Sequence, residues 1–468
     1  MNDSSDIRSE APRSGPVLLY GGHVLTMASA ETAAGDAGTL VAREAEVLLD
    51  GGSVAAIGRA ITVMPGTRLL DVQGHLILPG LIQGHLHLGQ TFFRGLAENR
   101  TLLRWLRERI WPLEAAHDDE SAYWCTLLGA AECLLGGTTT VQDIGIGPGA
   151  RGYLRALVES RLRGWAGKCL MDTGDGLPAD LAGDTDAELS ETERLGDEFD
   201  GANDGRLRYA INPRFILSGS DALWRGVAEL ADRRSWPVHT HALEQLEETE
   251  IVRSLKRGRD EIEYFDDQGV LDTDLRIAHG VWLEPRHYER LRSSRFSVVH
   301  CPSSNLKLGS GVADVVGLRA AGIPVGVGCD ATACCNRLDA FGELRLAALL
   351  QMERHGPASF TGEDALALAT CDGAKALGLS RQIGTVEVGK RADLVVLGPE
   401  NPELWASPEA DLHDLVAFSA VSSHVRHVFV EGEQLVEDGR LTHLDLGTIR
   451  RQADRACSAL MQRSGLDL

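Results

Sequence analysis

The chain has 468 residues, of which 43% are hydrophobic and 24% charged, and its formal net charge is −22 at pH 7. This composition is typical of a folded globular protein, and the large negative charge excludes nucleic acid and other polyanions as expected partners. The length is more than one ordinary domain needs, but a barrel of parallel strands with one small additional domain accounts for it better than three separate domains.

The cysteines and the apolar segments of the sequence indicate in which cellular compartment we expect the protein. The nine cysteines are odd in number, irregularly spaced and without a C-x-x-C pair, so we expect no disulfide framework and a reducing compartment. The first ten residues lack the basic and apolar regions of a secretory signal. No apolar stretch approaches the length needed to cross a membrane. We therefore expect a cytoplasmic protein that acts on a small molecule, binds no membrane and forms a homo-oligomer, a dimer or larger.

The predicted elements change in character along the chain. Residues 1–16 are polar and contain two prolines, which predicts disorder. Short strands follow from Val17, including a hairpin with an Asp50-Gly-Gly turn, and similar strands return near the C-terminus. The middle of the chain instead alternates apolar strands with amphipathic helices, such as residues 121–135 and 151–163, which is typical of parallel β/α units.

This order predicts an α/β fold, namely a (β/α)8 TIM-type barrel with a small composite β-sandwich domain that both chain ends form. In such a barrel the active site lies at the carboxyl ends of the strands, so polar residues at strand ends are the candidates for a site. The expected divisions are a disordered N-terminus (1–16), the first part of the β-sandwich domain (17–75), the metal-dependent barrel (76–384), the second part of the β-sandwich domain (385–440) and a C-terminal helical segment (441–468).

The first candidates are His85 and His87, which follow the apolar residues Leu81 and Ile82 closely. Side chains alternate along a strand, so both imidazoles lie on one face. Such a pair also occurs on ordinary half-buried strands. Here, however, the apolar strand ends at the histidines, as a strand that delivers metal ligands would.

Two further segments and one apolar strand supply the other candidates. HTHALE carries His241 and, three residues later, Glu244, whose carboxyl group a turn can return to the site. His239 shares the face of His241 but lies deeper, and we assign it no role. IAHGV places His279 at the tip of a short strand, and a Val-rich strand ends in Asp330. A buried Asp at that position needs a cation or hydrogen bonds.

Three histidines and an aspartate are enough to hold one divalent cation while leaving a position open for water, which distinguishes a catalytic metal site from a structural one. A glutamate and a fourth histidine are then available for proton transfer, so the chain carries the parts of a hydrolase. Nitrogen ligands with one carboxylate suit zinc best, and iron is the alternative.

These motifs, in this order, resemble the amidohydrolase superfamily. The similar branch is that of the one-metal aminohydrolases, which includes guanine deaminase, the adenosine and S-adenosylhomocysteine deaminases, and triazine hydrolases. The resemblance runs from about Val17 to about Gly439. The matching segments are PGLIQGHLH, WPLEAAH, GGTTTVQD, HTHALE, IAHGVWL, HCPSSNLKLGSG, VGVGCDATACCN and IGTVEVGKRADLVVL.

The resemblance implies a role for each candidate. The implied metal ligands are His85, His87, His241 and Asp330. Glu244 and His279 would handle protons and water as catalytic residues, and Asp330 would also accept a proton from the metal's water. The predicted fourth strand, residues 207–213, contains no lysine that could bridge two metals, so we expect one ion per chain.

The same resemblance suggests substrate-binding residues that favour different substrates. Gln90 and the pair Arg214-Phe215 correspond to residues of guanine deaminases, where an amide and a guanidinium would donate to a purine carbonyl. Glu114 occupies the place where adenosine-type deaminases hold the ribose diol. We therefore expect hydrolytic deamination of an amino-substituted purine, either a guanine-like base or a 5′-modified adenosine nucleoside, with release of ammonia.

Other functions stay open on the sequence alone. A triazine chlorohydrolase or aminohydrolase, or a pterin deaminase, would attack a similar ring carbon with the same residues. A non-catalytic scaffold on the same fold is more remote, because it would lose its ligands first and this chain keeps them all. The run Asp330-Ala-Thr-Ala-Cys-Cys335 departs from the family pattern, which has glycine after the metal-binding aspartate. This loop borders the substrate, so the departure bears on specificity.

Overall fold

The structure is a computed structural model that describes residues 15–28 and 41–466. Apart from Gly15 and Pro16, the N-terminal segment predicted to be disordered lies outside the described residues. None of the helices within these ranges is both long and apolar enough to cross a membrane.

The strands are numbered in chain order. They are β1 (Val17–Leu25), β2 (Val41–Asp50), β3 (Ser53–Gly58), β4 (Arg68–Asp71), β5 (Leu76–Pro79), β6 (Leu81–Leu86), β7 (Thr138–Asp143), β8 (Arg163–Ala166), β9 (Cys169–Leu170), β10 (Leu207–Tyr209), β11 (Asn212–Pro213), β12 (Val238–Ala242), β13 (Asp274–His279), β14 (Arg295–His300), β15 (Val325–Val327), β16 (Leu394–Leu397), β17 (Val425–Val430), β18 (Glu433–Glu437) and β19 (Arg440–Leu441).

The α-helices are numbered in the same way. They are α1 (Leu102–Trp105), α2 (Trp111–Ala115), α3 (Asp119–Leu135), α4 (Ala150–Ser160), α5 (Thr185–Phe199), α6 (Ala202–Gly205), α7 (Asp221–Arg234), α8 (Leu246–Leu255), α9 (Glu261–Asp267), α10 (Tyr288–Arg292), α11 (Pro302–Lys307), α12 (Val315–Ala320), α13 (Thr332–Cys335), α14 (Ala340–His355), α15 (Gly362–Leu368), α16 (Cys371–Ala376), α17 (Leu412–Ser419) and α18 (Leu446–Ser464). A π-helix, Leu106–Ile110, joins α1 to α2.

Nine strands from the two ends of the chain form one sheet, in the order β19-β18-β17-β16-β5-β1-β2-β3, with β4 beside β1. The predicted hairpin is present, since β2 and β3 are antiparallel across Gly51 and Gly52. The φ angles of these glycines, +54° and +78°, lie in the left-handed region that glycine tolerates best. β5 pairs with β1 on one edge and with β16 on the other, so strands from both chain ends join in one continuous sheet. The arrangement of this sheet as a β-sandwich domain stays a prediction.

The remaining strands pair in parallel, as the alternation of strands and helices predicted. Two four-stranded sheets have the orders β10-β8-β7-β6 and β12-β13-β14-β15, and β9 pairs with β11. Parallel bridges between Ile211 and Val238 and between Leu86 and Asp330 join these sheets at their edges. The pairings therefore run from β6 to β15 and back to β6, which brings the carboxyl ends of these strands to one side.

The main apolar core lies between the parallel strands and the helices around them. Trp224, Phe265 and Phe341 are among its fully buried side chains. The parallel strands are fixed to the sheet of the chain ends by a buried ion pair, in which Arg163 Nε donates to Asp393 Oδ2 at 2.7 Å. The fold thus supplies a rigid frame for the strand ends that carry the predicted site residues.

Candidate metal centre

Four predicted ligands meet at the carboxyl ends of three parallel strands. His85 lies on β6 and His87 directly follows it, while His241 lies on β12. Asp330 comes three residues after β15, and its backbone N–H donates to the carbonyl oxygen of His85 at 3.1 Å. This bond between neighbouring strands places the Asp330 carboxylate beside the two histidines of β6.

The donor atoms of the four side chains converge. Asp330 Oδ1 is 3.2 Å from His85 Nε2 and 3.2 Å from His87 Nε2. His87 Nε2 is 3.0 Å from His241 Nε2, and all four donor atoms lie within 4.8 Å of one another. The four side chains are buried. Their donor atoms therefore surround a small space that is shielded from bulk water.

The outer nitrogens of two histidines determine which atoms face this space. His241 Nδ1 is 2.6 Å from the carbonyl oxygen of Arg214, which can only accept, so Nδ1 carries the hydrogen and Nε2 keeps a lone pair for a cation. His239 Nδ1 likewise donates to the carbonyl oxygen of Arg276 at 3.1 Å. His239 Nε2 must then accept from His85 Nδ1, 2.8 Å away, which leaves His85 Nε2 with a lone pair directed inward. The set fits a divalent metal.

Burial sets the charge state of the ligands. It lowers the pKa of His85 to about 4 and that of His241 well below its usual range, so both rings are neutral near pH 7. Burial alone would raise the pKa of Asp330, but its contacts with His85 and His87 hold it well below the usual range. Three neutral imidazoles and one carboxylate are the form in which these groups bind a cation.

Glu244 and His279 lie together beside the ligands. Glu244 Oε2 is 3.3 Å from His279 Nε2, and Glu244 Oε1 accepts from Ser310 Oγ at 3.4 Å. His279 Nδ1 donates to Asn305 Oδ1 at 2.8 Å, so the Nε2 of the neutral ring faces Glu244 as an acceptor. Burial first, and then the charge of Asp330, raise the pKa of Glu244 well above its usual range. This environment therefore favours the protonated form of Glu244.

The second carboxylate oxygen of Asp330 is held by the loops around it. Ser304 Oγ and Cys334 Sγ both approach Asp330 Oδ2, the latter at 3.3 Å. The unusual loop after Asp330 therefore does more than fill space, because its buried thiol donates to the aspartate. Asp330 itself has a φ of +64°, and His279 one of +74°. These left-handed backbones are strained for residues with a Cβ and cluster at this site.

The four predicted substrate-binding residues form one buried group. Arg214 Nη1 donates to Glu114 Oε2 at 2.7 Å, and Gln90 Nε2 donates to Glu114 Oε1 at 2.7 Å. The side-chain amide of Gln90 also lies 3.1 Å from His87 Nδ1. Phe215 is buried next to them. Glu114 is a buried residue of α2, and Arg214 is buried as well. Through Gln90, the Arg214–Glu114 pair is connected to the metal ligand His87.

A narrow cavity of about 20 Å³ lies over the metal-ligand cluster, with Arg214 and Phe215 in its wall and Leu102, Trp105 and Leu106 as its apolar roof. The roof consists of α1 and the start of the π-helix. π-helical turns inside helices occur often at functional sites. The sequence analysis did not identify this roof, and only the proximity of WPLEAAH to it in the sequence could have indicated it.

The comparisons with known proteins agree with this arrangement. A family model described as the amidohydrolase family matches residues 76–435. A 5-methylthioadenosine/S-adenosylhomocysteine deaminase of Natronomonas pharaonis is 35% identical over 428 residues, which cover 91% of this chain and 96% of the relative. A 5′-deoxyadenosine deaminase of Methanobrevibacter smithii is 33% identical over 420 residues, which cover 89% and 94%. The crystal structure of an adenosine deaminase from Xanthomonas campestris with bound zinc superimposes with a TM-score of 0.85 at 27% identity, over 97% of this chain and 100% of that one.

Proposed function

The chain belongs to the amidohydrolase family and is a hydrolase of carbon–nitrogen bonds outside peptides, and on this premise we propose that it deaminates adenosine nucleosides modified at the 5′ position. The observation that carries the proposal is the convergence of a four-residue metal cluster with a buried glutamate whose pKa is raised. Relatives that cover most of the chain and are named for such substrates support the choice of nucleoside.

The metal in this proposal is one zinc ion, held by His85, His87, His241 and Asp330. When bound, it lowers the pKa of a water molecule toward neutrality and so supplies a hydroxide equivalent. Support comes from the inward lone pairs of the histidines and from the zinc in the Xanthomonas campestris structure. Iron suits the same ligands and is the alternative.

The protein groups carry the protons of the reaction. Asp330, whose low pKa keeps it a carboxylate, accepts a proton from the attacking water as the new C–O bond forms. Glu244 gives its proton to the ring nitrogen beside the attacked carbon. His279 hydrogen-bonds the attacking oxygen. The C–N bond then breaks, the amino group leaves as ammonia with the proton from Asp330, and the second water proton returns to Glu244. Each such proton transfer contributes about 10²–10⁴-fold.

The cavity suits a planar base with a sugar. The apolar roof and Phe215 can pack on the faces of a purine. Glu114 acts on the cavity through Arg214, which lines it and donates to Glu114. A guanine-like base is the second candidate, because the Arg214 guanidinium lines the cavity and can donate to a purine carbonyl.

We also infer that the closed circuit of parallel strands is a (β/α)8 barrel, to which the sheet of the two chain ends is attached as a composite β-domain. The strand pairings across Leu86–Asp330 and Ile211–Val238 support the barrel. A cytoplasmic location is part of the proposal, supported by nine free cysteines, none of which forms a disulfide.

The test is ammonia release with purified, zinc-loaded protein. The panel should contain 5′-deoxyadenosine, methylthioadenosine, S-adenosylhomocysteine, adenosine, guanine, 8-oxoguanine, pterin and aminotriazines. We expect the highest kcat/KM with a 5′-modified adenosine, and none with the Glu244→Gln protein. A preference for guanine or a triazine would replace the substrate proposal. No ammonia from any member of the panel would contradict it altogether.

A further inference from the structure

Two buried carboxyl groups behind Glu244 take no part in the mechanism above. Glu248 lies in the first turn of α8 and Glu261 is the first residue of α9. Their side chains are 1% and 0% exposed. A buried carboxyl group without a task is rare, because its removal from water is unfavourable unless hydrogen bonds or charges replace the water.

Both carboxyl groups bind the short loop that carries Glu244. Glu261 Oε2 accepts from the backbone N–H of Leu243 at 2.7 Å, and Glu261 Oε1 accepts from Thr249 Oγ1 at 3.1 Å. Glu248 Oε2 accepts from the backbone N–H of Glu244 at 3.2 Å, and the N–H of the next residue is 3.4 Å from the same oxygen. Three successive backbone N–H groups, those of residues 243–245, are thus held by two side chains.

The loop needs this support because its backbone is strained. Leu243 has a φ of +54°, a left-handed conformation that a leucine adopts only when its surroundings hold it. The turn at Leu243 redirects the chain from β12 so that the Glu244 side chain reaches His279 at 3.3 Å. Relaxation of the turn would move the Glu244 carboxyl group away from the reacting atoms.

Within the described part of the chain, Glu248 and Glu261 do not belong to an ion-pair network, because their nearest charged neighbours are also acids. Burial raises the pKa of Glu248 to about 8 and that of Glu261 well above its usual range. The neighbouring acid Glu244 adds to the shift of Glu248, and Glu248 adds to that of Glu261. Acids placed beside one another are electrostatically unfavourable. The benefit of this arrangement is instead that the two side chains supply hydrogen-bond acceptors at fixed positions.

We infer that Glu248 and Glu261 are positioning residues, which hold residues 243–245 by their backbone N–H groups and thereby aim the Glu244 carboxyl group at the substrate. The inference rests on the proposed function in that it takes Glu244 as the proton donor. It does not depend on which heteroaromatic amine is the substrate.

Paired substitutions separate reach from charge. Glu248→Asp and Glu261→Asp keep the carboxyl group but withdraw it by about 1.5 Å, the length of one carbon–carbon bond. Glu248→Gln and Glu261→Gln remove the ability to ionise but keep an acceptor oxygen at the same reach. A core variant in α7, Leu230→Ala, serves as the control for loss of stability, since Leu230 is buried on a helix other than α8 and α9.

The assay measures kcat, KM and zinc content with the best substrate of the panel, and amide hydrogen exchange of the peptide that contains residues 243–245. We expect the Asp variants to lose about 10–100-fold in kcat, because a displacement near 1 Å of a catalytic group has effects of this size. KM and zinc content should be unchanged, and the loop peptide should exchange faster. The Gln variants should retain most of kcat and the slow exchange of the loop.

Three results would overturn the inference. One is an equal kcat in the Asp variants and in the wild type. Another is a greater loss in the Gln variants than in the Asp variants, which would assign the role to charge. The third is a loss of kcat in Leu230→Ala as large as in the Asp variants at a similar fall in Tm, which would reduce the role to stability. Hydrogen exchange reports on the loop even if no substrate is turned over, so a failure of the proposed function would be recognised separately.

Discussion

Replacement of His239 by leucine tests the most direct support of the metal site that is not itself a ligand. His239 Nε2 accepts from His85 Nδ1 at 2.8 Å, and His239 Nδ1 donates to the Arg276 carbonyl oxygen at 3.1 Å. Both rings are 0% exposed, so no bulk water can replace the lost acceptor. We expect His239→Leu to weaken zinc binding while leaving all four ligands in place.

The magnitude follows from two independent considerations. A buried N–H that loses its partner is destabilised by about 1–3 kcal/mol. Loss of a hydrogen-bonding partner behind a metal ligand weakens metal affinity by about 10–100-fold, and at about 1.4 kcal/mol per tenfold this is about 1.4–2.8 kcal/mol. The agreement sets the expected increase in the zinc dissociation constant at about 10–100-fold for this variant.

Competition with a chromophoric chelator measures the dissociation constant for zinc. His300→Leu is the matched control, because His300 is also 0% exposed but its ring nitrogens have no hydrogen-bond partner among the described residues. The control should bind zinc as the wild type does. Equal zinc affinity in His239→Leu and the wild type would refute the assignment of the His85 tautomer and of its support.

Three further predictions concern charge and protons. Glu244→Gln should abolish ammonia release but keep one zinc per chain, as measured by elemental analysis, because Glu244 is assigned as a proton donor and not as a ligand; zinc loss would contradict this. Arg214→Met should lower the free energy of unfolding by about 3–5 kcal/mol in urea titrations, because it leaves the Glu114 carboxylate buried without its cationic partner. The double variant Arg214→Met/Glu114→Leu should regain most of this loss. Additive losses from the two substitutions would contradict the importance of the ion pair. The pKa of Glu248 is raised to about 8 in the folded protein, whereas in the unfolded chain it is near 4.5. Between these pH values the folded protein holds a proton that the unfolded chain has released. Protonated Glu248 therefore stabilises the folded state at low pH, and this contribution is lost as the pH rises toward 8. Glu248→Gln should therefore show a smaller fall in Tm between pH 5.5 and pH 8 than the wild type, and an identical pH profile would contradict the shift.

The local pattern of the sequence predicted the elements, and the structure brings the four predicted metal ligands together. Alternating strands and helices predicted the parallel pairings, and the Asp50-Gly-Gly turn predicted the hairpin between β2 and β3. The resemblance to the amidohydrolase superfamily is confirmed by the family match over residues 76–435. His85, Glu244 and Asp330 could be proposed because each follows an apolar strand, and parallel strands end on the same side of their sheet. Their roles in catalysis remain predictions.

The sequence was less informative where a partner is distant along the chain. His239 was given no role, yet it lies against His85 across 154 residues of sequence. Glu114 and Arg214 were assigned to different substrates, whereas they form one ion pair across 100 residues. The supports of the Glu244 loop were not anticipated, because Glu261 acts from the start of a separate helix.

The sequence by itself therefore determined which side chains stand at the strand ends, because strand periodicity and turn chemistry are local properties of consecutive residues. Only the tertiary structure decided which of these side chains touch, which tautomer each histidine adopts, and which acids lie buried beside one another. Those properties depend on the order and register in which distant strands pair, and no pattern within a single segment specifies the register between two segments. The closure of β15 against β6, which places Asp330 beside His85, is the clearest case.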